Sequence, residues 1–224
     1  MRRASGSGAL RRRVRAIGAA LALALPLLAP AAPECAASSP VPAAPLECTR
    51  RLATELKRTG RAEATLVWNV DGPPGVAAGR RSGTLALEPP SLARLDVAAT
   101  GDRVTLRADG GEWLQPGLRQ LIKLSPRHAG AAMRWWRLLA SGEGAREKRL
   151  GRQGYRLIVS ERGAEADSAE VWLDARGLPA RLVLDDGAGG RQEYTLRGWR
   201  FTRARGAAAF RLAAPPGIEV VELP

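Results

Sequence analysis

The chain has 224 residues, with 35 Lys and Arg against 22 Asp and Glu, which gives a formal net charge of +13. This length suits one domain of ordinary size, and a hydrophobic content of 45% argues against general disorder. Two Cys and one His exclude a disulfide-rich scaffold, a four-Cys zinc site and most His-based metal sites.

The first 31 residues have the features of an export signal. Residues 1–15 contain six Arg and no acid, and residues 16–32 are apolar apart from Gly and Pro. A basic region, a short apolar region and small residues around Ala29 and Ala31 predict a secretory signal peptide over residues 1–31. An uncleaved membrane anchor is the alternative, although Pro26 and Pro30 interrupt a stretch that is already short for a span.

Loss of residues 1–31 would lower the net charge from +13 to +7. The remaining Arg residues are scattered among strands and turns, as on a solvated face. Nucleic-acid binding normally requires basic residues clustered on one element, so it is not predicted.

Residues 32–47 form an Ala- and Pro-rich tail, and residues 48–224 form the folded domain. Export leads to an oxidising compartment, where Cys35 and Cys48 could form a disulfide. The alternative is two free thiols, and the sequence leaves both open.

The domain is predicted to begin with a helix and to continue as a meander of short strands. Residues 48–59 have Leu52 and Leu56 four apart with Gly60 as a stop, which is typical of an amphipathic helix. Strands follow with alternating apolar residues, and residues 126–141 have helical spacing after Pro126. In residues 191–201 the apolar parity changes at Gly198, which predicts a β-bulge. The predicted strands are residues 62–70, 82–88, 93–99, 103–108, 112–115, 120–124, 155–160, 169–174, 180–185 and 191–201, with a short strand from Phe210 and a final apolar run to Leu223.

About 8–11 short strands with few long connections indicate a mainly β, α+β fold. The predicted architecture is a curved antiparallel half-barrel that two amphipathic helices cover.

The sequence offers no recognisable catalytic group. Asp185 and Asp186 lie in a Gly-rich hairpin turn, and His128 is predicted to be a surface or helix-capping residue. No nucleophile–base pair, phosphate-binding loop or metal-ligand set stands out, so the chain is predicted to be no enzyme and to need no cofactor or metal.

The helix over residues 126–141 carries more large apolar residues than one helical face requires. They are Met133, Trp135, Trp136, Leu138 and Leu139. The helix is either a plain core element, with Trp135 at the rim, or a movable lid over a ligand cavity.

The order of these elements resembles the outer-membrane lipoprotein carrier (LolA-like) family. The matching features are the entry helix ending at Gly60, residues 83–88 followed by Pro90, the partner strand from Ala93, the segment VTLRADGGEW at residues 104–113, Gln120, the helical insert, the strand pair around residues 174–178, and FRLAAPPGIEVV at residues 210–221. Each feature is weak alone, and together they cover most of residues 48–223.

The resemblance implies a soluble periplasmic carrier that shields lipoprotein acyl chains in an apolar cavity on their way to the outer membrane. It also implies an inner-membrane release complex and an outer-membrane acceptor as partners, with the carrier a monomer. One feature departs from the family, whose carriers have a lid-latching Arg directly before the Pro of the second strand. Here that position is Pro89, preceded by Glu88, so this latch cannot form.

The inward apolar residues are therefore the candidate lipid-binding residues of the cavity and lid. They are Leu66, Trp68, Leu85, Leu87, Leu95, Val97, Val104, Leu106, Trp113, Met133, Trp136 and Leu139. The alternative function is an envelope sensor or regulator domain of the same fold, which would bind a protein partner or lipid.

Overall fold

A computed structural model describes residues 46–70, 79–141, 145–158, 168–185 and 191–222. It begins with a 3-10 turn at Glu47–Thr49, which runs into helix α1 at Arg50–Thr59. The second helix, α2, spans Pro126–Ser141. Helix α1 ends at Gly60, whose φ of 90° is the left-handed conformation that stops a helix without a Cβ penalty.

Twelve strands make up one sheet. Its order is β12-β6-β5-β4-β3-β2-β1-β11-β10-β9-β8-β7, so the sheet is open, with β12 and β7 at its edges. Neighbours pair antiparallel except β12, which runs parallel to β6. The strands are β1 Gly60–Val70, β2 Gly79–Glu88, β3 Leu92–Val97, β4 Arg103–Arg107, β5 Gly110–Gln115, β6 Gln120–Leu124, β7 Arg146–Arg149, β8 Gly154–Ile158, β9 Ser168–Leu173, β10 Pro179–Asp185, β11 Arg191–Arg203 and β12 Glu219–Glu222.

The predicted fold class, a curved antiparallel half-barrel with helical cover, is confirmed. Both predicted helices are present, and the predicted strands recur with shifts of one to three residues at their ends. The predicted bulge is also confirmed, since the pairing of β1 with β11 shifts register opposite Gly198, which has a φ of 65°. The extra residue in β11 keeps both Leu196 and Trp199 on the same buried face.

Two features of the sheet differ from the sequence prediction. Strand β7 was not expected, because its sequence REKR carries no apolar alternation. The strand predicted to start at Phe210 is wrong: a 3-10 turn at Ala207–Phe210 is followed by extended chain that pairs with no strand until β12.

One face of the sheet, called the covered face, packs against both helices. Helix α1 lies on β1 and β11, and α2 lies mainly on β4 and β5. The two helices also contact each other. Leu52 and Leu56 of α1 are completely or almost completely buried there.

The opposite face of the sheet, called the outer face, is crossed by residues 204–218, which we call the strap. Charged side chains of the sheet bind the strap backbone at successive strands. The Glu88 carboxylate in β2 accepts the N–H groups of Arg205 and Gly206 at 2.9 and 3.0 Å. Farther along, Arg94 donates to the carbonyl of Ala209 at 3.1 Å, and Arg107 donates to that of Phe210 at 2.8 Å.

Beneath the strap, the prediction of a solvated Arg face is wrong. Arg61 is 5% exposed, and its guanidinium lies 2.7 Å from Glu88 and 5.5 Å from the ring centre of the fully buried Phe210. Arg107 is also buried, and it pairs with Glu112 at 3.2 Å. These cations form ion pairs and backbone hydrogen bonds because the strap removes them from water.

Replacement of Glu88 tests this buried network. Glu88→Ala is expected to destabilise the fold by about 3–5 kcal/mol, because Arg61 would lose its buried partner and two strap N–H groups would lose their acceptor. The matched control, Glu193→Ala, removes an exposed partner of Arg181 and is expected to cost about 0–1 kcal/mol. The measurement is the free energy of unfolding by urea, and equal losses in the two variants would contradict the account.

Candidate functional site

The covered face is built from residues that oppose one another across neighbouring strands. Opposed residues of an antiparallel pair point to the same side of a sheet. In the register, Leu85 of β2 opposes Ala64 of β1 and Leu95 of β3. The row continues from Leu95 through Val104 and Trp113 to Ile122 in β6. An apolar row thus crosses six strands without a charged side chain.

The structure brings the predicted cavity residues together on this face. Nine of them are buried in a single apolar cluster: Leu66, Trp68, Leu85, Leu87, Val97, Val104, Leu106, Trp136 and Leu139. Leu95 and Trp113 are half-buried and pack against that cluster. The side chain of Met133 lies outside the described residues. Their assignment to lipid binding stays a prediction.

Sequence reasoning missed the other half of the same face. The register carries the face on through Leu182 in β10 and Val171 in β9 to Tyr155 in β8. These residues are 4% exposed or less. Their alternation was visible in the sequence. Without the strand order, however, the sequence did not show that they share a face with Leu66 and Trp68.

Helix α2 is buried on more than one side. Trp136 is 4% exposed, and its ring lies edge-to-face with that of Tyr194 in β11, with ring centres 6.4 Å apart. Leu138, about 200° around the helix from Trp136, is also buried, since α2 contacts α1 and the first 3-10 turn as well as the sheet. These contacts account for the helix having more apolar residues than one face requires.

Burial of the covered face is uneven. Leu66 and Leu85, near the centre of the sheet, are 0% and 1% exposed. By contrast, Leu95 of β3, Trp113 of β5 and Ile122 of β6 remain half-buried on the same face, although Val104 of β4, between Leu95 and Trp113, is only 3% exposed. The indole nitrogen of Trp113 is buried near the Asp102 carboxylate. We call Leu95, Trp113 and Ile122 the open row, since they are apolar, inward-facing and incompletely covered.

The only His of the chain, predicted to be a surface or capping residue, is half-buried in the first turn of α2, which Ser125 caps. Ser125 Oγ and His128 Nδ1 lie 2.8 Å apart, and the same oxygen accepts the backbone N–H of His128 at 3.4 Å. A serine before the first helical turn that binds the N–H three residues later is an N-cap. The short distance between Ser125 and His128 is therefore explained by capping at the N-terminus of α2.

Cys48 lies in the 3-10 turn and is completely buried. Its backbone N–H and that of Glu47 each donate to the Glu147 carboxylate of β7 at 2.8 Å. Burial raises the pKa of the Cys48 thiol well above its usual range, and the Glu147 carboxylate raises it further. Cys35 falls outside the described residues, so its pairing with Cys48 stays a prediction.

Pro89 stands at the position of the family's latch, and Glu88 before it has another role. Glu88 points to the outer face, where it binds Arg61 and the strap. Contact of α2 with the sheet includes the Trp136–Tyr194 ring pair. Burial raises the pKa of the Tyr194 phenol, as expected for an apolar site.

The described residues contain neither a helix that could span a membrane nor a cluster of metal ligands. None of the helices described is both long and apolar enough to cross a membrane. No group of three His, Cys, Asp or Glu side chains is arranged to hold a metal ion in the described ranges.

Comparison with known proteins gives matches among solved structures alone. No model of a protein family matches the sequence, and no curated protein matches it. An uncharacterized conserved protein from Thermus thermophilus is 15% identical, with 78% of this chain and 98% of that chain covered and a TM-score of 0.45. A putative outer membrane lipoprotein-sorting protein domain from Vibrio parahaemolyticus is 14% identical, with coverages of 74% and 95% and a TM-score of 0.44.

A LolA superfamily protein from Nitrosomonas europaea is also similar, at 9% identity, coverages of 73% and 97% and a TM-score of 0.40. The family named from the sequence is therefore among those whose solved structures are similar to this chain. Likeness at this level carries no information about activity, so the function has to come from this chain's own residues.

The two adjacent Trp residues of α2 give a test of its packing. Trp136→Ala is expected to destabilise the fold by about 3–5 kcal/mol, because a buried ring in contact with Tyr194 is lost. Trp135→Ala should cost clearly less, since that side chain is only half-buried. Urea titrations of both variants measure this difference, and a larger loss for Trp135→Ala would show that the buried side of α2 is assigned wrongly.

Proposed function

We propose that this chain is a carrier that shields the acyl chains of a lipid or lipoprotein between α2 and the covered face. The observation that carries the proposal is the open row, where Leu95, Trp113 and Ile122 are inward-facing, apolar and incompletely covered. Leu66 and Leu85, nearer the centre of the sheet, are by contrast almost completely buried. An acyl chain laid along the row would complete their burial.

The energetics favour an acyl ligand at such a site. Each methylene transferred from water gains about 0.8 kcal/mol, so a chain of a dozen or more carbons gains on the order of 10 kcal/mol. Protein groups along the row need only be apolar, because an acyl chain has no polar atom that requires a partner. The residues of the open row fit this requirement.

The finer parts of the proposal rest on the sequence. The export signal predicted over residues 1–31 supports a periplasmic location after cleavage. In that compartment an acylated lipoprotein crossing toward the outer membrane would need such a carrier. An inner-membrane release complex, an outer-membrane acceptor and a monomeric carrier belong to the same proposal.

A comparison of two variants separates ligand binding from packing. Ile122→Ala should lower affinity for a diacylated peptide roughly tenfold, because a side chain that would touch the ligand is lost. Its cost in stability should stay below about 2 kcal/mol, since Ile122 is already half-exposed. Phe210→Ala should do the opposite, with a loss of about 3–5 kcal/mol and unchanged affinity per folded molecule, because Phe210 is fully buried on the outer face.

The measurements are fluorescence titration with the diacylated peptide and urea unfolding of the same samples. Equal affinity in wild type and Ile122→Ala would remove the open row from the binding site. Absence of both peptide binding and acyl-bearing lipid in the purified protein, checked by mass spectrometry, would favour the sensor or regulator alternative.

A further inference from the structure

The hairpin that joins β7 to β8, at one edge of the sheet, carries a cluster of exposed basic residues. Residues 146–152 read REKRLGR, with Lys148, Arg149 and Arg152 all exposed. The single acid among them, Glu147, points to the covered face, where it accepts the N–H groups of Glu47 and Cys48. Its carboxylate is therefore engaged by backbone groups on that face.

The basic side chains at the tip lack carboxylate partners. Lys148, Arg149 and Arg152 form no ion pair with any residue that the structure describes, whereas exposed cations elsewhere, such as Arg181, do. Arg149 donates instead to the backbone carbonyls of Gly151 and Arg152, at 3.1 and 3.3 Å. These bonds close the turn, and the same guanidinium lies 5.9 Å from the ring centre of Tyr155 in β8.

An apolar side chain stands at the centre of this charge. Leu150 is 40% exposed and occupies the turn between Arg149 and Arg152. A methyl group added at Gly151 would meet nothing within 4 Å, so the tip projects into open space. A large apolar side chain beside three exposed cations fits a surface that is both negatively charged and apolar beneath its charges.

We propose that the tip of the β7–β8 hairpin, with Leu150 between Lys148, Arg149 and Arg152, docks this domain on an anionic phospholipid surface. Leu150 enters the boundary between headgroups and acyl chains, while the three cations contact lipid phosphates. This surface is separate from the open row, so the inference does not rest on the proposed carrier function.

The course of the chain supports the lipid surface over an acidic protein. The 3-10 turn is fixed to Glu147, three residues from Leu150, so the chain before Leu46 joins the domain beside this hairpin. That part of the chain contains the apolar residues 16–32.

A label at the tip tests the docking in the full chain, because it reports local insertion even if residues 16–32 also bind vesicles. Leu150→Cys, in a chain with Cys35→Ser, is labelled with the environment-sensitive fluorophore NBD, and Cys48 is protected by burial. The control label is Leu118→Cys, at the equally exposed β5–β6 turn. Vesicles are phosphatidylcholine alone or with about one-third phosphatidylglycerol.

We expect an emission blue shift for the Leu150 label with anionic vesicles, a much smaller one with neutral vesicles, and none for the Leu118 label. Lys148→Gln with Arg152→Gln should weaken the anionic response at least tenfold, and about 0.5 M salt should do the same to the parent chain. No shift at position 150, or equal shifts at 118 and 150, would overturn the proposal. So would a response to a soluble acidic protein in place of vesicles.

Discussion

An open sheet with one apolar face is stable in water only if that face is covered. The rest of this structure depends on how completely the covered face is buried. The row from Ala64 to Ile122 and its continuation to β8 present apolar side chains across most of the sheet. Burial of such surface contributes about 25 cal/mol per Å². Two helices, of ten and sixteen residues, are the elements that cover it. They bury the central strands fully and leave the open row only half covered.

On the outer face, the strap covers part of the sheet through charged side chains and the aromatic ring of Phe210. Phe210 is its buried apolar anchor, and Glu88, Arg94 and Arg107 hold the strap by its backbone. Because the strap ties the outer sides of β2, β3 and β4 together, these strands are braced against moving apart. In the proposed carrier, cargo would therefore enter by displacement of α2 or past the β12 edge, without separation of strands.

Much of the covered face was predictable because it rests on local patterns. Alternation in β1 to β5 placed residues such as Leu85 and Val104 on one side, and the parity change at Gly198 indicated the bulge of β11. Helical spacing after Pro126 gave α2 with its observed ends. All of these depend on residues close together in the sequence.

What could not be predicted depends on contacts between distant residues. Arg61 and Arg107 read as solvated cations, because nothing near them in the sequence shows that residues 204–218 return across the sheet. Strand β7 has no apolar pattern, since it is an edge strand of charged residues. The open row required both the strand order and the burial of each side chain, neither of which the sequence contains.

The central claim is that an acyl chain lies against the covered face, and a brominated acyl ligand tests it most directly. Bromine quenches indole fluorescence at contact. Of the six Trp residues, Trp68, Trp136 and Trp199 are buried in the covered-face cluster, and Trp135 packs against it. Trp113 is the one in the open row, and Trp172 lies opposite Arg181 on the outer face. Quenching by a brominated diacylated peptide should fall markedly in Trp113→Phe and persist in Trp172→Phe. Quenching that persists in Trp113→Phe and is lost in Trp172→Phe would place the ligand on the wrong side of the sheet and contradict the account.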